Sequence, residues 1–375
     1  MGLSLGINTS FKRGGGALGG VVPNPSALAA SFDVPTISGQ VSWTDNSGGA
    51  AQYEVYSSYN GNPYVFLGTT AAGATSYIDT TCKQNASVVY RIRAKKWSAY
   101  SEYVTTSAIN TPLCWKTNQA TRTNVVINTL NITAGKTVNI DWGDGTNANY
   151  TGNNTNITKT YDASAVNIFN IKLSGDTDSI TYFIHKAQAK SYGDVSNWVL
   201  PSSLRYFYIN STNISGDISS WVLPSTLTTF SVYSTQVSGD ISGWVLPSTL
   251  KDFLVYSTQL SGSLPQITEH AIKAIDYRVS SAYMSDSNVT VFRKAMTNFN
   301  ASNQNVTFST ANIDKLLKAA ADWYQLNPPT ANCTYNLSGA NMGIPTGGAA
   351  NVDIVRLIEY YSTAGFAATV IVRTS

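Results

Sequence analysis

Three aspartates, Asp194, Asp217 and Asp240, recur every 23 residues. On neighbouring turns of a solenoid such carboxylates would stack about 5 Å apart, a spacing that could hold a cation. The fourth equivalent is Ser263. Serine replaces aspartate as a turn cap but is a poor calcium ligand, so capping is the preferred reading. Asp141 and Asp144 form a second pair, in Trp142-Gly-Asp-Gly-Thr146. They could serve acid–base chemistry, but Gly143 and Gly145 permit positive φ, and a turn aspartate caps its own backbone N–H groups. The structural reading is again preferred. Only two histidines, His185 and His270, could serve a metal site or a Ser-His-Asp triad. Cys82, Cys114 and Cys333 show no C-x-x-C spacing. Cys82 and Cys114 could pair, although three inert thiols are the simpler expectation. No G-x-S-x-G elbow, P-loop or H-E-x-x-H is present, and acids are too sparse for a glycosidase pair. No catalytic residue, metal or cofactor is expected.

The chain that would position these groups has 375 residues, enough for two to four domains. Its 24 basic and 21 acidic residues nearly cancel, which argues against nucleic-acid binding. Charged residues are only 12%, so Ser, Thr, Asn, Gln and Tyr must supply the polar surface. At 43% hydrophobic, the chain can build packed cores. No apolar run reaches about 18 residues, so membrane insertion is not expected. Residues 1–22 read as a flexible arm, with a Gly14-Gly15-Gly16 run and no secretory signal pattern. Leu3, Leu5, Ile7 and Phe11 alternate with smaller residues, as in an anchor peptide that orders on a partner; a disordered tail is the alternative.

Residues 23–111 show short alternating runs separated by turn signals. The order Pro25-x-x-Leu28, Val41-Ser-Trp43, Tyr53-x-Val-Tyr56, Tyr77 and Tyr90-Arg-Ile-Arg-Ala94 resembles a fibronectin type III module. That resemblance implies a core Trp43 and a late tyrosine fixing a corner of the sandwich. Residues 112–181 contain Trp142-Gly-Asp-Gly-Thr146 and a later Lys159-Thr-Tyr161. This is similar to a polycystic-kidney-disease (PKD) domain and implies a second sandwich.

Residues 182–375 repeat. Trp198, Trp221 and Trp244 each open W-V-L-P-S-[ST]-L. The units Leu204-x-x-Phe207-x-Ile209, Leu227-x-x-Phe230-x-Val232 and Leu250-x-x-Phe253-x-Val255 follow. A degenerate unit runs from Ile272 to Ser280. The pattern resembles the leucine-rich repeat and implies an α/β solenoid. Thr212, Thr235 and Thr258 stand where that family often has Asn or Cys, so their hydroxyls are expected to satisfy the turn backbone. The tryptophans are expected to form a core spine. Helices are expected near 286–299, 310–325 and 350–364, ending in a helical cap. The fold class is thus mainly β and multidomain: two Ig-like sandwiches, then a leucine-rich-repeat solenoid.

Strand alternation sends Tyr206, Tyr208 and Asn210, then Thr229, Ser231 and Tyr233, then Asp252, Leu254 and Tyr256 outward. In leucine-rich repeats this row lines the concave, partner-binding face. Tyr206, Tyr208, Asn210, Tyr233, Asp252 and Tyr256 are therefore the candidate ligand-binding residues. A merely solvated polar face is the alternative. Display-type modules without an export signal look like head-fibre, decoration or tail-fibre proteins of tailed phages. That resemblance implies a non-enzymatic virion surface protein, extracellular on the released particle. Residues 1–20 would bind capsid or tail proteins, and the solenoid would meet host surface glycan or protein. A homo-oligomer is expected. A bacterial cell-surface adhesin and an accessory region of a glycan-degrading enzyme are the alternatives.

Overall fold

The computed structural model describes residues 21–119, 124–161, 167–263, 274–276, 284–285, 298–300, 306–307, 309–326, 329, 332–338 and 344–372. The candidate anchors Leu3, Leu5, Ile7 and Phe11, and most of the helix expected over 286–299, lie outside them. The chain forms two compact units.

The first unit comprises the described residues of Met1–Asp33, Ser38–Thr80 and Ser87–Ile109. One antiparallel sheet joins Ser26–Asp33, Ser38–Thr44 and Ser76–Asp79 in that order. A second sheet is ordered Val65–Thr69, Gln52–Tyr59, Ser87–Lys96, Ala99–Tyr100, with Val104–Thr105 also beside Ser87–Lys96. Tyr53, Val55, Val88, Tyr90, Ile92 and Ala94 alternate inward and are buried. Trp43 meets Tyr53 at 5.0 Å between ring centroids, so it is a core residue as expected.

The second unit (Val34–Ile37, Thr81–Ala86 and Asn110–Ser375) is built on two long sheets. One runs through Asn147–Tyr150, Val138–Asp141, Asn167–Gly175 and Leu113–Gln119. It continues through Ser191–Asp194, Asn213–Asp217, Gln236–Asp240 and Gln259–Ser263. The other runs through Asn153–Thr160, Asn124–Ile132 and Ile180–Ile184. It continues through Tyr206–Tyr208, Thr229–Ser231 and Asp252–Leu254. Pairing is antiparallel up to Ile180–Ile184 and Ser191–Asp194, and parallel beyond them. The boundary expected at 181/182 therefore falls inside a strand. The W-G-D-G sandwich and the solenoid share both sheets and one hydrophobic core.

The α/β expectation needs correction in the regular coils. Their second side is a strand, Asn213–Asp217, Gln236–Asp240 or Gln259–Ser263, and not a helix. Eight residues separate Thr212 from Trp221, and Gly216 at φ 127° and the Asp217 turn interrupt them. That stretch is too short and too broken for helix nucleation. Among the described residues, α-helices appear late, as α1 (Thr310–Leu326) and α2 (Val352–Thr363). Ile313, Leu316, Leu317, Ala320 and Tyr324 line the buried stripe of α1, at helical spacing. Ser309 Oγ accepts from Asn312 N at 3.3 Å at its start, and Asn351 caps α2 through Asp353 N and Ile354 N. The helices are crossovers leading to Cys333–Leu337 and Ala368–Val372, and this last strand lies at the sheet edge among the described residues.

Inside the coils, Phe183, Phe207, Phe230 and Phe253 form a ladder with centroid spacings of 6.1, 5.7 and 5.6 Å. Trp198, Trp221 and Trp244 are buried beside it, the first two parallel within 3°. Their indole N–H groups donate to the carbonyls of Cys114, Val195 and Ser219 at 3.1, 3.2 and 3.1 Å. Thr212, Thr235 and Thr258 donate to Ile209, Val232 and Val255 carbonyls at 2.7, 2.6 and 2.7 Å, satisfying the turn as expected. Cys82, Cys114 and Cys333 are buried and form no disulfide with one another; burial pushes the Cys114 thiol up to about 12.

Candidate functional site

Parallel in-register strands place like side chains about one strand spacing apart. Tyr182 and Tyr206 are such partners, and their rings stack at 4.3 Å and 18°. Just past the next strands, Tyr233 and Tyr256 stack at 4.3 Å and 9°. Tyr208 lies in the row beside Tyr206, with the Lys186 ammonium 5.8 Å from its ring. Burial pushes the Tyr208 phenol up. The four candidate tyrosines are half-buried, so they present edges and hydroxyls around the stacks.

Asn210 does not belong with them. It is only 2% exposed, and its Oδ1 accepts from Ser231 Oγ at 3.3 Å. Thr229 and Ser231, also expected outside, are buried. Thr229 donates to Asp252 Oδ2 at 3.0 Å, which holds that carboxylate against the sheet. Small side chains in a row of bulky ones become the floor beneath their neighbours' rings, which strand alternation alone does not reveal. Tyr182 and Lys186 were missed as members of this face. The signal was present: Tyr182-Phe183-Ile184 aligns with Tyr206-Phe207-Tyr208, one residue out of the 23-residue interval.

On the other sheet the three aspartates are turn caps. Asp194, Asp217 and Asp240 accept through Oδ1 from the backbone N of Ser196, Ser219 and Ser242 at 2.8, 2.9 and 2.8 Å. The hydrogen bonds from Ser242 hold the Asp240 carboxyl below the usual range. The carboxylates are staggered: Asp194 pairs with Ser215, and Asp217 with Ser238. Each instead overlies the next coil's glycine. A Cβ on Gly239 would come within 2.3 Å of Asp217 Oδ1. The stacked column of acids read from the spacing is therefore absent. A groove of about 710 Å³ opens beside the first of these caps, lined by Asn118, Lys190, Tyr192, Asp194, Asn213 and Gln236 among others. Among the described residues, Asp194 is the one carboxylate lining it.

The other candidate chemistry is also structural. Asp141 pairs with Lys172 at 2.8 Å and caps Gly143 N; Asp144 pairs with Lys159 at 2.6 Å and caps Thr146 N. Partial burial opposes ionisation of both, but the lysine partners more than offset it and hold both carboxyls low. A Cβ on Gly143 would meet the Asn170 carbonyl at 2.6 Å, so only glycine fits that turn. Tyr161 donates to the Trp142 carbonyl at 2.9 Å. His185 and Ser191 form a 2.8 Å pair that resembles a nucleophile and its base. Both are fully buried, so no substrate can reach them. His270 lies outside the described residues. No group of three or more potential metal ligands occurs among the described residues.

No family model and no curated protein matches the sequence. Among solved structures, it is similar to an Fn3-like protein from Clostridium thermocellum at 22% identity. That match covers 25% of this chain and 97% of that one, with a TM-score of 0.22. Pectate lyase PelI from Erwinia chrysanthemi, in complex with tetragalacturonic acid, is 10% identical over 76% of this chain and 85% of its own, with a TM-score of 0.19. Pectate lyase Pel3 from Pectobacterium carotovorum is 10% identical over 75% and 85%, also with a TM-score of 0.19. At such TM-scores none of them bears on what this chain does.

Proposed function

We propose that this chain is a non-enzymatic recognition and display protein of a tailed-phage virion. In this reading residues 1–20 dock on capsid or tail protein, and the solenoid's tyrosine face meets host surface glycan or protein. The sheet order of the first unit supports a fibronectin type III-like module. The W-G-D-G turn supports a PKD-like one, which serves as the base of the solenoid because their sheets are continuous. The crossover helices α1 and α2 support reading the C-terminal coils as leucine-rich-repeat-like. One observation carries the recognition role: the repeated acids serve as turn caps, while paired tyrosine rings line the opposite sheet. Tyrosine supplies rigid contact area and a hydrogen-bonding tip at low entropic cost, and many copies on one particle would turn weak contacts into avidity.

A glycan array and host-cell binding assay with wild type and Tyr206→Ala/Tyr233→Ala tests the face. Wild-type signal and at least a tenfold loss in the variant are expected; no wild-type signal, or an unchanged variant, counts against it. Deleting residues 1–20 tests the virion reading. Particles should then lack the protein while its melting temperature is unchanged, and retention on particles would refute docking through that segment.

A further inference from the structure

The first unit carries its own charged face. All four basic residues in its described part, Arg91, Arg93, Lys95 and Lys96, lie on the strand Ser87–Lys96. The first three alternate, so they share the face opposite the buried Tyr90, Ile92 and Ala94. Glu54 bonds Arg93 at 2.8 Å and Lys95 at 3.3 Å. Arg91 has no such partner among the described residues. Its guanidinium lies 4.1 Å from the Tyr64 ring centroid, 4.2 Å from Tyr103 and 5.0 Å from Tyr56, and its Nε is buried without a hydrogen bond. Rings on this scale orient a guanidinium without neutralising it.

The surroundings are apolar and uncovered. Phe66 packs on Tyr56 at 5.2 Å and is 52% exposed, and Trp97 is 87% exposed, with Lys96 above its ring. Aromatic side chains around arginine are the composition of interface hot spots. Two strand residues span about 6.6 Å, so Arg91, Arg93 and Lys95 form a cationic row of that repeat. An extended peptide presents every second side chain to one side at the same repeat. A chain with carboxylates at alternate positions would match the row, and its first carboxylate would complete Arg91.

We propose that the Arg91–Arg93–Lys95 face of the first unit binds an extended acidic segment of a partner protein, with Arg91, clamped between tyrosines, as the anchor. This site is separate from the tyrosine face of the solenoid. The test uses the full chain and a fluorescent peptide of alternating Glu and Thr. Controls are a peptide of the same composition with its glutamates consecutive, and hyaluronate. The alternating peptide should bind best and weaken as salt is raised. Arg91→Gln should weaken it at least tenfold, and Arg91→Lys should restore only part, because lysine lacks the planar fork. Lys95→Gln, at the half-exposed end of the row and with Arg93 still holding Glu54, should weaken it several-fold with little change in the melting temperature, which keeps the test valid if Arg91 variants unfold. Tyr206→Ala/Tyr233→Ala should leave peptide binding unchanged, whatever the fate of the receptor role. No peptide binding, equal binding of the two peptides, tighter binding of hyaluronate, or indifference to both charge variants would overturn the proposal.

Discussion

The solenoid uses two chemistries at one interior position. Ile209, Val232 and Val255 fill it in the regular coils, with Ile214, Val237 and Leu260 five residues on. In the coil that leaves the sandwich, His185 and Ser191 stand at the equivalent places, equally buried. The backbone barely registers the change: His185 N donates to the Tyr208 carbonyl at 2.8 Å, as Ile209 N does to Ser231 at 3.1 Å. The difference comes from the neighbouring strand. Asn124–Ile132 parts from the first coil after the Thr129–Ile184 pairing, which leaves residues 124–128 without ladder partners on that side. Side chains replace them. His185 Nδ1 meets the Val126 carbonyl at 3.1 Å, Gln188 Oε1 accepts from Val126 N at 3.3 Å, and Asn128 Oδ1 accepts from Lys186 N at 3.0 Å. The carbonyl requires the proton on Nδ1, so Nε2 accepts from Ser191. Repetition thus tolerates a purely apolar interior, whereas a change of strand direction needs polar groups to satisfy the backbone.

The largest effect should come from the apolar side of this contrast. Phe230→Ala opens the middle of the phenylalanine ladder and should cost about 3–5 kcal/mol in denaturant unfolding; a loss below about 1 kcal/mol would mean that the coils are not held by that ladder. The polar side should show itself in acid. Burial depresses the His185 imidazole to about 4 from 6.5. Its contribution is complete above pH 6.5, declines as pH falls from there, and is gone near pH 4, a change of about 3 kcal/mol. Denaturant midpoints measured across that range should follow it. His185→Ile/Ser191→Ile, which copies the regular coil, should abolish the His185 part of the slope while costing about 1–3 kcal/mol at neutral pH, because the Val126 carbonyl loses its donor. A slope as steep as wild type would assign the acid sensitivity elsewhere. The smallest effect concerns the caps common to both kinds of coil. Gly239→Ala, at φ 118° and against Asp217, should cost about 2 kcal/mol. Gly243→Ala, with nothing within 4 Å of its Cβ, should be nearly silent in the same melts.

Much of the scaffold was legible because the 23-residue interval survives in Trp, Phe, Thr and Gly: the phenylalanines stack on their own copies, the threonines close the turn of their own coil, and the glycines make room for the preceding aspartate. The second strand was misread because Gln236-Val-Ser-Gly-Asp240 is too short for periodicity to separate a strand from a turn. The α/β expectation then came from resemblance. Asn210 was misplaced because exposure on a sheet depends on the size of neighbours in other coils. His185 was singled out for its chemistry, but its place in the coil interior was not readable, because its coil lacks the W-V-L-P lead-in and sits one residue out of step. The Arg91 face was in plain view as Arg-x-Arg-x-Lys. What the sequence could not supply was Tyr64 and Tyr103, distant in the chain, closing on the guanidinium.

The fit of each aspartate over the next coil's glycine gives the stack a built-in ratchet. A duplicated 23-residue cassette would bring both halves of that lock and lengthen the molecule by one sheet spacing, about 4.8 Å. An insertion of any other size would set a side chain against a carboxylate. Ser263 N still donates to Ser242 Oγ of the preceding coil at 2.6 Å, but Ser263 offers no carboxylate onward. The lock therefore runs in one direction along the stack, from each aspartate to the glycine of the following coil, and Ser263 does not pass it on.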